Sequence, residues 1–162
     1  MIYILFVLFI ACGKPANIDP TFMSYNNQYF KLSNAYGIVP QYSVDIYFAS
    51  LPKDTLAECN TDSNVRQIEV SDAWQDLTPL EREMLFDHEA THCYCNRKHT
   101  FFQNNTEIPY DTVEQVSTLA SKGFLPDGCP QSIMYPYLVS NECAERHHTE
   151  YIFEMFKGCN PT

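Results

Sequence analysis

Polar and apolar positions alternate along Val44-Asp45-Ile46-Tyr47-Phe48 and again along Arg66-Gln67-Ile68-Glu69-Val70. Successive strand side chains point to opposite faces, so each run predicts a half-buried strand. The period then changes. Leu80, Met84 and Leu85 recur at helical spacing, and His88 and His92 continue their stripe. Thr78-Pro79-Leu80-Glu81 supplies the start signal: an N-cap threonine, proline at the first helical position and glutamate three residues after the cap. A helix is expected from about Pro79 to Cys95. Asn141-Glu142-Cys143-Ala144-Glu145 opens a second, running to about Phe156. These elements imply one α+β domain, a small twisted mixed sheet packed on the first helix, with a C-terminal helix.

The first helix carries chemistry. His88-Glu89-Ala90-Thr91-His92 reads H-E-x-x-H. Residues four apart share a helix face, so His88 and His92 can aim two imidazoles at one zinc ion. Both continue an apolar stripe and should face inward, where an unpartnered ring is costly. Zinc that keeps an open position brings the pKa of water to near neutrality, and Glu89 stands one step round the helix as a general base.

A third ligand is needed, and His99 is the next candidate. It follows His88 by eleven residues, so the chain must turn, with Asn96 suited to a left-handed conformation. Two rivals exist. Glu142 or Glu145 could reach back from the C-terminal helix, although acidic residues in a first turn also suit the helix dipole. Alternatively, Cys93 and Cys95 could join His92 and His99 in a structural zinc cluster. His147 and His148 are adjacent, diverge by about 100° on a helix, and read as surface residues.

The stretch from His88 to His99, taken with Ser132-Ile133-Met134-Tyr135-Pro136, resembles the metzincin metallopeptidases. Their signature is H-E-x-x-H-x-x-G-x-x-H followed by a methionine-containing turn. The resemblance covers about residues 40 to 137 and implies a zincin-like fold, zinc held by His88, His92 and His99, Glu89 as the catalytic base, and Met134 beneath the metal. Trp74 falls between the second strand and the helix, where that clan often carries an aromatic. Cys95 stands where the clan has glycine, and Lys98 where it has its third histidine. The spacing H-E-x-x-H-C-x-x-x-R-x-H is also similar to small bacterial lipoproteins predicted to depend on zinc, and this likeness brings no substrate with it. Tyr135 or Tyr137 could hydrogen-bond a developing oxyanion.

Residues 1–11 are almost wholly apolar. They are too few to span a bilayer, which takes about twenty, and read as an export signal. Phe9-Ile10-Ala11-Cys12 resembles a lipobox, which implies that Cys12 is lipidated and that the chain is a bacterial membrane-anchored lipoprotein, periplasmic or at the cell surface. Residues 12–30 are expected to form a tether, and residues 31–162 the domain. Apart from Cys12, six cysteines remain, an even number that suggests up to three disulfides in an exported chain. Cys93 or Cys95 could fasten the helix to the Cys129 loop or to Cys143.

Composition narrows the partners. A net charge of −10 argues against nucleic acid, whose phosphates require basic surfaces. The polar stretches 60–64 and 103–106 read as loops, the second placed where substrate-facing loops would lie. The sequence therefore points to extracytoplasmic hydrolysis of a peptide or protein substrate. The alternative is a noncatalytic, disulfide-stapled surface lipoprotein that uses a zincin scaffold to bind a partner. A third reading has no metal and incidental histidines.

Overall fold

A computed structural model describes residues 16–40, 42–61, 65–103, 106–110 and 123–159, with backbone alone over 101–110. The expected signal segment 1–11 and Cys12 lie outside the described residues. Among the described residues the fold is mixed α+β, with three helices, a three-stranded mixed sheet and a separate hairpin.

Strands β1 (Val44–Phe48) and β3 (Arg66–Val70) are the two that alternation predicts. They pair in parallel, with Ile46 opposite Ile68 and both fully buried. Strand β2 (Ala57–Asn60) pairs antiparallel with β3 and completes the order β1-β3-β2. Its residues Ala57-Glu58-Cys59-Asn60 lack an apolar alternation, so the sequence does not announce it.

Helix α1 (Met23–Ala35) corrects the expected tether. Asp19 accepts from the Thr21 N–H, Pro20 opens a short 3-10 turn, and the helix follows directly. Phe22 and Tyr29 have no exposure at all, so the packed domain begins well before residue 31. Residues 17–19 also bond along β1: Asp19 donates its N–H to the Ile46 carbonyl and Ile46 donates to that of Asn17. Trp74, in a 3-10 turn ahead of the next helix, meets Phe22 and Tyr25 edge-on.

Helix α2 (Pro79–Cys95) spans the expected residues and runs through the middle of the domain. Its capping box is complete: the Glu81 N–H donates to the Thr78 hydroxyl, and the Thr78 N–H to the Glu81 carboxylate. Met84 to Thr91 are all buried, because the sheet, α1 and the C-terminal helix enclose α2. Its end is a left-handed Asn96 at φ 56°, as the turn requires. Arg66 of β3 donates to the Cys93 carbonyl at 2.7 Å and to Asn96 Oδ1 at 3.1 Å. It thereby satisfies a carbonyl at the end where the helix dipole favours a cation.

His99 begins the hairpin β4 (His99–Gln103) and β5 (Thr106–Tyr110). The Thr100 N–H donates to the Met134 carbonyl, fastening β4 to the methionine-bearing turn. Helix α3 (Asn141–Lys157) then packs on α2 and kinks at His147.

Three disulfides join Cys59 to Cys93, Cys95 to Cys159 and Cys129 to Cys143. The expectation that Cys93 or Cys95 would tie to Cys129 or Cys143 is corrected: those two close their own short loop. Cys93 instead clamps α2 to β2, and Cys95 clamps it to the end of α3.

Candidate metal centre and cleft

Helical spacing brings His88 and His92 together, with ring centroids 4.6 Å apart. The left-handed turn at Asn96 then returns the chain, so that the His99 ring lies 4.6 Å from His92 and 5.2 Å from His88. One ring nitrogen from each lies within 4.8 Å of the others.

Hydrogen bonds set the tautomers of two rings. His88 donates Nδ1–H to the Ile133 carbonyl at 2.6 Å, and His92 donates Nδ1–H to the Arg97 carbonyl. Each Nε2 is then left with a lone pair, and the two Nε2 atoms face each other at 3.0 Å. Two lone pairs at that separation repel unless a proton or a metal ion lies between or beside them. Burial, with His92 and His99 nearby, holds the His88 pKa well below the usual imidazole range, so protonation is disfavoured. The donor set suits a borderline-soft cation: neutral imidazoles oriented from behind by backbone carbonyls, as His88 and His92 are, are a common zinc arrangement.

Glu89 points to the same space. One carboxylate oxygen lies 3.9 Å from His88 Nε2, and the Cys59 backbone of β2 beside the carboxylate favours its charged form. Burial pushes its pKa up to about 8. A cation held by the three rings would draw it back toward neutrality. Such a group can both accept and return a proton near pH 7.

The cleft has two lobes meeting at His88 and Glu89. One, of about 230 Å³, is mixed in character: Leu56, Met84, Leu85, Ile133 and Val139 line it together with Asp54 and Thr55. The other, of about 410 Å³, runs past His92 and His99 and is edged by Glu58, Thr61, Asn96 and Lys98. β2 borders both lobes as the outer strand of its sheet.

Met134 is fully buried in the turn after the hairpin. Tyr135 and Tyr137 line the smaller lobe, Tyr135 buried and Tyr137 exposed. The rival ligands lie elsewhere. Glu142 takes a hydrogen bond from Arg146 and Glu145 one from Asn141, both on the exposed first turns of α3. The proposed cysteine–histidine cluster is overturned, because Cys93 and Cys95 are committed to disulfides. His147 bonds Asp127 and His148 bonds Glu83, away from the three rings.

Sequence reasoning missed β2, which lines the cleft together with Glu89, and the carbonyls of Arg97 and Ile133 that orient the rings. Backbone acceptors leave no mark in residue type. α1 did leave a signal: Asp19-Pro20 is a helix-start pair, and Phe22, Tyr25, Tyr29 and Leu32 recur at three and four.

Comparisons with protein-family models, with curated proteins and with solved structures find no match for this chain.

Proposed function

We propose that this chain is a zinc-dependent, zincin-like peptidase working outside the cytoplasm, with His88, His92 and His99 as ligands and Glu89 as the proton carrier. The observation that carries the reading is the facing pair of Nε2 lone pairs, with a third ring and a buried carboxylate beside them.

When bound, zinc supplies Lewis acidity, acidifying water and polarising a carbonyl oxygen. Glu89 takes the proton from the attacking water and delivers it to the departing amine. Ile133 and Arg97 hold two rings still through their carbonyls, so no reorganisation is required when charge develops.

The cleft suits a chain in extended form. An outer strand beside a cleft offers main-chain groups to a peptide laid along it. The smaller lobe has room for one side chain near the scissile bond, and the larger lobe takes the other side of the substrate. Three disulfides favour an oxidising compartment, in keeping with export and a lipid anchor at Cys12.

The test combines metal analysis with peptide hydrolysis. Wild type and Glu89→Gln should each hold one zinc, while His99→Ala loses most of it. Turnover of a quenched peptide library should fall by about 10²- to 10⁴-fold in Glu89→Gln, the usual worth of a general base. Stoichiometric zinc without any cleavage would convert the reading to a binding scaffold. Failure of the oxidised chain to take up zinc would end it.

A further inference from the structure

Glu154 lies on α3 and lines neither lobe of the cleft, yet its carboxylate is wired to two of the rings. One oxygen pairs with the Arg97 guanidinium. The other accepts from the Ser132 hydroxyl at 2.9 Å and from the Ile133 N–H at 3.2 Å. Arg97 and Ile133 are the residues whose carbonyls take the Nδ1–H of His92 and His88. The wiring extends to the third ring's strand. Arg97 also reaches the Thr100 hydroxyl, which lies 3.1 Å from Ser132 Oγ, and Thr100 follows His99 directly.

The network is buried and closely fitted. Arg97, Glu154, Ser132 and Thr100 are all buried. Arg97 further donates to the Glu154 and Met155 carbonyls at 2.8 and 3.1 Å. Gly158 leaves room for it: a Cβ there would come within 2.8 Å of Arg97 Nε, although the backbone itself does not require glycine. A buried ion pair returns little net stability, because desolvation offsets most of the attraction. What this pair supplies is position. It locks the turn after α2 and the methionine-bearing turn to one carboxylate.

We propose that Glu154, paired with Arg97, is a positioning residue for the metal centre, fixing His88 and His92 through the carbonyls of Ile133 and Arg97. The inference rests on the zinc reading above. It makes α3 part of the metal site without supplying a ligand.

The test is zinc affinity by chelator competition, with the visible spectrum of the Co²⁺-loaded protein, for wild type, Glu154→Gln, Ser132→Ala and Phe22→Ala. Phe22→Ala truncates the core against Trp74 and Phe48, outside the network, and controls for lost stability. Circular dichroism reports folding of each. Glu154→Gln should weaken zinc about 10- to 100-fold, the usual effect of losing an outer partner of a metal ligand, and shift the Co²⁺ bands. Ser132→Ala should move both readouts the same way, and Phe22→Ala neither. Wild-type affinity and spectrum in folded Glu154→Gln would overturn the proposal, as would an equal loss in Phe22→Ala. If Glu154→Gln does not fold, Ser132→Ala decides, and wild-type values there overturn it. A wild-type chain that takes up no zinc removes the metal reading itself. Zinc held equally by wild type and network variants removes only the positioning role.

Discussion

Replacing Cys95 and Cys159 together by alanine should be the most destabilising loss among the three disulfides. Their separation is 64 residues, against 34 for Cys59–Cys93 and 14 for Cys129–Cys143. A cross-link removes loop-closure entropy from the unfolded chain in proportion to the logarithm of the loop length, which at 25 °C amounts to about 4.3, 3.8 and 3.0 kcal/mol in that order. Alanine is the better replacement, since Cys93, Cys129 and Cys159 are buried and a serine hydroxyl would add its own desolvation cost. Urea unfolding of the three double variants, extrapolated to water, measures the ranking. The longest and shortest loops should differ by about 1.3 kcal/mol. The result that would refute the reasoning is an equal or greater cost for Cys129→Ala/Cys143→Ala. Native-state strain, rather than unfolded-chain entropy, would then dominate.

Gly158→Ala should displace the Arg97 side chain, since the new methyl would meet Nε at 2.8 Å. Overpacking of this kind costs about 1–3 kcal/mol, measurable by urea unfolding, and zinc affinity should fall with it. Asn96→Val places a β-branched residue at φ 56° and deletes the bond from Arg66, so it should destabilise by about 2 kcal/mol, whereas Asn96→Gly keeps the turn. Thermal melts of the two variants side by side check that difference. Asp127 is held below the usual carboxylate range by His147, Arg146 and the Cys129 N–H. Its contribution is present above the unfolded pKa of about 4 and is lost as pH falls through the lower, folded value. Asp127→Asn should therefore melt earlier than wild type at neutral pH, with the gap closing in strong acid.

The elements legible in the sequence are those whose own residues hold the signal. β1 and β3 alternate because each has one face on the core, and α2 announces its start with Thr78, Pro79 and Glu81. Asn96 shows the left-handed turn because few other residues tolerate it. β2 and the β4–β5 hairpin were not legible, since Ala57-Glu58-Cys59-Asn60 and His99-Thr100-Phe101-Phe102-Gln103 lack apolar alternation and Pro109 argues against a strand. The stretch before residue 31 was misread as tether because its polar residues outnumber its core contacts. Asn26 is buried all the same, accepting from the Tyr94 hydroxyl at 2.8 Å.

The sequence by itself determined the helical spacing of His88 and His92, the adjacency of Glu89, and the need for a turn before His99. These are local matters, set by 3.6 residues per turn and by backbone sterics. Tertiary structure alone decided which cysteines pair, that Glu142 and Glu145 stand apart from the rings, and that Glu154, 57 residues beyond Arg97, joins the turns on which two of the rings rest. The physical reason is that a buried polar group must find a partner wherever the packed chain offers one, and which partner that is depends on the whole fold.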